Sequence, residues 1–196
     1  MRFDLLFDDL EAQLEAQLVT ENTQQRGEEE RLRAARTSLR ERLAALVATG
    51  ERSIRLRLLD GSAVDLTLAT VGRDWLAAEL AGGSECVVPL GAIASVSLSA
   101  AQLQASRGRM PEQKPGAAEA LTGKIGIGVV LRDLARRRVP VDVADRAQPA
   151  PVHGTIDRVG ADHLDLAVHE RGAVRRESSV LERRVVALGA ITMLRL

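Results

Sequence analysis

The chain has 196 residues, 45% of them hydrophobic, with 27 basic side chains balanced by 27 acidic ones. That balance excludes a disordered chain and gives no overall basic surface for nonspecific nucleic-acid binding, whose strength scales with the phosphates neutralised. No apolar run approaches the ~18–20 residues of a membrane-spanning helix; the amino terminus turns acidic at Asp4, and a lone Cys86 excludes a disulfide framework, so the expected compartment is the cytoplasm.

Residues 1–49 read as an amino-terminal helix. Phe3, Phe7, Leu10, Leu14 and Leu18 recur at helical spacing, and Leu32, Leu39, Leu43 and Leu46 resume the pattern after a polar stretch. The helix is either continuous or kinked near Gly27. Its apolar stripe could pack on the following module, zip against another copy, or dock on a different protein, which makes Phe3, Phe7, Leu10 and Leu14 the candidate protein-interaction residues. From Ile54 the period changes to alternation. Ile54, Leu56 and Leu58 oppose Arg55 and Arg57, and Asp60-Gly61 is a turn. Val64, Leu66 and Leu68, then Leu76, Ala78 and Leu80, then 86–89 and 93–98 complete five short strands within a module spanning 50–98.

Residues 99–120 carry two prolines and read as a linker, partly helical at most. The segment 121–196 repeats the order of the first module. A helical pattern over 121–137, weakened by Gly123, Gly126 and Gly128, precedes alternating Val139, Val141 and Val143, and four further strands follow to the last residue.

The repeat is written into the residues. Val71-Gly72-Arg73-Asp74-Trp75-Leu76 returns as Val159-Gly160-Ala161-Asp162-His163-Leu164, and Leu90-Gly91-Ala92-Ile93 returns as Leu188-Gly189-Ala190-Ile191. The offsets are 88 (162 − 74) and 98 (189 − 91), so ten residues are inserted between the two signatures, as a hairpin or loop.

A helix followed by five short strands, with a Gly-Asp turn before the third and a Gly-Ala-Ile hinge before the fifth, resembles the Sm fold, whose bacterial relative is Hfq. Gly154-Thr155-Ile156-Asp157 resembles the Sm strand in which a glycine permits a bend. The whole chain, with its Leu-Phe-Asp-Asp-Leu-Glu start, is similar to a family of uncharacterised actinobacterial proteins. The resemblance implies an α+β fold of two tandem five-stranded small β-barrels, each led by a helix. It also implies an aromatic residue that stacks an RNA base, at the positions of Trp75 and His163. The asparagine that accompanies it in Sm proteins is replaced by Ala77 and Asp165, and Leu90 and Leu188 stand where arginine is usual.

Catalytic chemistry finds no foothold in the sequence. Three histidines, His153, His163 and His169, lack a zinc pattern, and Gly123-Lys124-Ile125-Gly126 lacks the ending of a phosphate loop. The expectation is therefore no enzyme, no cofactor, no metal and no small-molecule substrate. Of the 27 basic residues 25 are arginine, only Lys114 and Lys124 being lysine. Two arginine clusters stand out: Arg132, Arg136, Arg137 and Arg138 end the second helix, and Arg171, Arg175, Arg176, Arg183 and Arg184 decorate the insertion. A binding or assembly protein is the leading expectation, its partner another protein or another copy met through the amino-terminal helix or open barrel edges. The alternative is an RNA- or DNA-binding regulator that uses the arginines with Trp75 and His163.

Overall fold

The structure, a computed structural model, describes residues 27–28, 31–32, 34–107, 121–148, 150–173 and 175–196. Residues 1–38 and 39–196 form two separate compact units. In the first, the described positions 27–28, 31–32 and 34–36 are helical, and the helix ends at Thr37 and Ser38. Gly27 is itself helical. Serine before Leu39 suits a new helix start, because its hydroxyl is among the preferred N-cap groups. Phe3, Phe7, Leu10 and Leu14 lie outside the described residues.

The second unit begins with α1 (Leu39–Thr49) and continues through β1 (Ser53–Leu58), β2 (Ala63–Val71), β3 (Trp75–Leu80), β4 (Glu85–Pro89) and β5 (Ile93–Ser97). A short helix, α2 (Ala100–Arg107), follows. Then come α3 (Ile127–Arg137), β6 (Pro140–Asp145), β7 (Val152–Val159), β8 (His163–Val168), β9 (Glu182–Ala187) and β10 (Ile191–Arg195). Alternation in β1 is read out directly: Ile54, Leu56 and Leu58 are buried while Ser53, Arg55 and Arg57 are exposed.

All ten strands form one antiparallel sheet in the order β5-β1-β2-β3-β4-β10-β6-β7-β8-β9. The first half runs 5-1-2-3-4 and the second, 10-6-7-8-9, is the same order shifted by five. The agreement reaches single residues. Ala69 is an unpaired extra residue where β2 meets β3, and Asp157 is its equivalent where β7 meets β8, 88 positions on. Ala94 in β5 and Thr192 in β10 are a second such pair, 98 positions apart. A bulge bends its strand and sharpens the local twist, so both modules curve at the same places. The two Leu-Gly-Ala segments form matching 3-10 turns ahead of β5 and β10.

Two hydrophobic clusters fill the unit. Leu43, Leu46, Leu56, Leu58, Leu68 and Leu76 lead the first, and Leu131, Leu134, Val141, Ile156, Leu164 and Leu166 lead the second. Leu43 and Leu46 of α1 correspond by the 88-residue offset to Leu131 and Leu134 of α3. Each helix presents the same pair to its own sheet.

Two expectations are corrected and a third gains detail. The two modules are not separate closed barrels: β4 pairs with β3 and β10 but not with β5, and the sheet is open. Within 99–120, expected as a linker with some helix in it, Ala100–Arg107 forms α2, which packs on α1. Ser99 and Gln102 form a reciprocal cap at its start, with Ser99 N–H donating to Gln102 Oε1 (2.9 Å) and Gln102 N–H donating to Ser99 Oγ (3.2 Å). Gln102 Nε2 also donates to the carbonyl of Ser53 at 2.6 Å, tying α2 to β1. Finally, the ten-residue insertion after β8 is a loop with a 3-10 turn at Glu177–Ser179, while Arg183 and Arg184 belong to β9 itself.

Gly154 is where backbone meets backbone. A Cβ placed there would stand 2.5 Å from the Ala167 carbonyl oxygen, whereas at Gly189 it would meet nothing within 4 Å. Gly154→Ala is expected to lower stability by about 1–3 kcal/mol through overpacking, and Gly189→Ala to cost much less. Chemical denaturation midpoints of the two variants check the contrast.

Candidate assembly interface

The two modules meet where β4 pairs antiparallel with β10, Val87 opposite Leu194 and Cys86 opposite Arg195. The Leu196 N–H extends the ladder to the Glu85 carbonyl at 2.9 Å. Side chains are exchanged across this line. Val87 and Trp75 from the first module enter the second hydrophobic cluster, and Met193 from β10 enters the first. Cys86 is fully enclosed there, and its thiol pKa is pushed up to about 11 by burial. Burial of this kind makes it an inert thiol.

Polar groups fix the joint's geometry. Trp75 Nε1 donates to the Ile125 carbonyl at 2.9 Å, and the Arg73 N–H reaches the same oxygen at 3.0 Å. Helix α3 starts after Gly126, which has no side chain with which to cap it. Asp74 of the first module does so instead: its Oδ1 accepts the Ile127 N–H at 2.7 Å. On the other side of the sheet junction Thr192, wholly buried, donates its hydroxyl to Asp60 Oδ2 at 2.7 Å. Burial works against ionisation of Asp60, but hydrogen bonds from Ser62 and Thr192 outweigh it and hold its pKa below the usual value.

Among the described residues each outer end of the sheet carries an unpaired strand edge, β5 at one and β9 at the other. Beside β5 a groove of about 350 Å3 runs against α1, lined by Arg42 and Ser95 as well as by Leu43, Leu46, Ile93 and Val96. Beside β9, Val185 is 69% exposed.

The residues that the resemblance pointed to are placed differently from one another. Trp75 is only 6% exposed and its indole nitrogen is already bonded, so it is a packing residue of the joint and offers no face to a base. His163 is half-exposed and its Nδ1 lies 2.8 Å from Asp162 Oδ1. The arginine clusters are largely neutralised by carboxylates. Arg136 and Arg137 share Asp133, and Arg171 meets Asp142 at 2.8 Å. Arg175 meets Asp157 at 2.5 Å, Arg183 pairs with Glu177, and Arg184 meets Glu182 at 2.8 Å. Among the described residues Arg132, Arg138 and Arg176 are exposed and form no ion pair, and Arg138 of the first cluster lines one cavity with Arg175 of the second.

A polar cluster that the sequence did not reveal lies at the back of the second module. The nearly buried Asp142 bonds His153 Nδ1 at 2.7 Å as well as Arg171. The His153 ring stands edge-on to His169, with centroids 5.1 Å apart. His169 Nδ1 faces the Glu170 carbonyl at 3.0 Å and therefore carries the proton, which leaves Nε2 to accept the Thr155 hydroxyl at 2.9 Å. Thr155 is 1% exposed, and with His153, Arg138 and Arg175 it lines a cavity of about 490 Å3. The cluster ties β6, β7 and the insertion together. Strand parity along the chain gives no sign of it, because it joins residues of β6 and β7 to the segment that follows β8.

No described helix is long and apolar enough to cross a membrane, and no group of three or more His, Cys, Asp or Glu side chains arranged for a metal ion occurs among the described residues. No family model, curated protein or solved structure matches the chain.

Two outcomes are expected from this geometry. Trp75→Ala removes a buried indole and its hydrogen bond and should cost about 3–5 kcal/mol, with Asp74→Ala costing about 0.5–2 kcal/mol through the lost helix cap; both are read from urea unfolding. Burial would raise the Asp142 pKa, yet the hydrogen bonds from His153 and Arg171 hold it below the usual value. A carboxyl with a lowered folded pKa stabilises the fold above its unfolded pKa of about 3.9 and loses that contribution as pH falls through the folded value. Asp142→Asn should therefore be less stable than wild type at neutral pH and lose less on acidification below pH ~4, as measured by unfolding midpoints across that range.

Proposed function

We propose that the chain is a non-enzymatic binding and assembly protein, built of two Sm-like modules fused so that the last strand of the second pairs with the fourth strand of the first. The observation that carries this reading is the β4–β10 joint, a strand-edge interface made inside one chain, flanked by two strands that keep equivalent edges open. An open edge offers a row of backbone donors and acceptors that another strand can satisfy. The repeated 5-1-2-3-4 strand order, the paired bulges and the matching 3-10 turns support the Sm-like reading of each module.

The alternative, an RNA- or DNA-binding regulator, draws on half-exposed His163 and on unpaired Arg132, Arg138 and Arg176. The ion pairs around the other candidate arginines weigh against it, since a carboxylate already bonded to a guanidinium repels the phosphate that would replace it.

Recovered from its own cells, the full chain is expected to retain its protein partner, another copy or a different protein, after nuclease treatment and in high salt. The double substitution Ser95→Lys with Val185→Lys, one charge on each open edge, is expected to release it. Retention of nucleic acid instead, with binding that falls steeply as salt rises and is lost on Arg132→Glu and Arg138→Glu, would establish the regulator.

A further inference from the structure

The cavity at the back of the second module, lined by Arg138, His153, Thr155 and Arg175, is built from positions that carry other chemistry in the first module. Helices α1 and α3 correspond by the 88-residue offset, so the residues that follow them, Gly50 and Arg138, are equivalent. Gly50 has φ +82° and Arg138 keeps the same left-handed conformation at φ 52°, as the one non-glycine residue with positive φ among those described. Such a position at a helix end favours glycine, because a Cβ is strained there. The second module gives up that glycine and gains a guanidinium. Arg138 is exposed, lines the cavity, and its side chain has no hydrogen-bond or ion-pair partner among the described residues.

The strands behind it have changed in step. Thr67 stands opposite Ser53 and Thr155 opposite Pro140; two residues further along each ladder, Arg55 faces Asp65 and Asp142 faces His153. In the first module the guanidinium fork of Arg55 takes both oxygens of Asp65 at 2.7 Å, and the pair is exposed and satisfied. In the second module the acid has moved to the first strand of the pair, and the side chains of Asp142 and His153 are only 8% and 18% exposed. Asp142 Oδ1, at 2.7 Å, fixes the proton on His153 Nδ1. The ring's Nε2 is then an acceptor, and it bonds nothing among the described residues. The insertion, which the first module lacks, adds Ala173 and Arg175 to the cavity wall.

We propose that this cavity binds a small organic hydroxycarboxylate, its carboxylate on Arg138 and its hydroxyl donated to His153 Nε2. Charge selects the class of ligand. Arg171 pairs with Asp142, Arg175 with Asp157 and Arg183 with Glu177, which leaves Arg138 as the uncompensated cation. One guanidinium fork matches one carboxylate in geometry and in charge. A phosphate dianion would bring a second negative charge towards those three carboxylates with no cation to meet it. A neutral imidazole acceptor calls for a ligand hydrogen, which a hydroxyl supplies. Pro140 and Ala173 offer apolar wall to a hydrocarbon body, and about 490 Å3 lies within the range of small-molecule sites. None of the lining residues belongs to the β4–β10 joint, so the site stands apart from the assembly reading.

Nuclear magnetic resonance titration of the full chain tests this with three probes: mandelate, phenylacetate, which is the same body without the hydroxyl, and inorganic phosphate. Mandelate is expected to give saturable shifts of the Arg138 and Ala173 amide signals and of the His153 ring. Phenylacetate is expected to bind about fivefold more weakly for want of one hydrogen bond, and phosphate more weakly than mandelate. Arg138→Gly restores the residue found at Gly50. It is expected to raise the urea midpoint, by relieving the left-handed side chain, and yet to weaken mandelate about tenfold or more, a combination that a purely structural arginine would not give. His153→Asn keeps an N–H for Asp142 and removes Nε2, and is expected to bring mandelate down to the affinity of phenylacetate. Dispersed spectra show that each variant is folded. Absence of mandelate shifts at these residues, equal binding by Arg138→Gly, phenylacetate as tight as mandelate, or phosphate tighter than both would overturn the proposal.

Discussion

The pairing of β4 with β10 is the contact on which the second unit depends. Without it there are two five-stranded sheets, each with an unsatisfied strand edge and a hydrophobic cluster open at one side. A module of this size buries too small a fraction of its surface to be comfortably stable alone. The joint answers both needs together, since the strand pairing satisfies the edge and Trp75, Val87 and Met193 fill the neighbouring cluster. Asp74 and Thr192 add hydrogen bonds that work only when the modules are aligned in one register. Backbone ladder, apolar wedge and helix cap are therefore a single interlocked device.

Duplication explains why this device leaves something over. Two copies of a module with two unlike edges consume one edge of each kind when they join, and one of each kind remains. The surplus is visible in the burial of equivalent positions. Val87 is enclosed and Val185 is not, Thr192 is buried and Ala94 is exposed, and Trp75 is packed while its equivalent is a half-exposed histidine. The two ends have also diverged from the joint. His163 and Asp162 bond each other, where Trp75 bonds the Ile125 carbonyl and Asp74 caps α3, and α2 with its Ser99–Gln102 cap braces the first module.

Much of the architecture was legible in the sequence because it rests on local patterns. Alternation marked β1 and β2, the glycines at 123, 126 and 128 weakened the helical pattern where α3 is delayed to Ile127, and the paired Gly-Asp and Leu-Gly-Ala-Ile signatures located equivalent turns. The repeat offset set the ten extra residues between β8 and β9, where a loop is found. What could not be read depends on which edge meets which. The same strand pattern is compatible with β4 closing on β5 within a module or opening to β10 of the next. Trp75 sits on the strand face opposite the core positions Leu76, Ala78 and Leu80, and only the arrival of α3 turns that face into an interior. The break at Thr37–Ser38 and the start of α2 did carry local signals, a serine before a helix and a Ser-x-x-Gln box, which a stronger glycine or proline signal nearby overshadowed. The His153–His169 contact had none, since it joins a residue of β7 to one just past the end of β8, brought together by strand pairing alone.

Hydrogen exchange of the full chain, followed strand by strand, tests most directly whether the internal joint holds the two modules together. The account predicts that the β4 and β10 amides of the joint are protected as strongly as those of the inner strands β2 and β7. Exchange of the β4 and β10 amides well ahead of those inner strands would contradict the joint.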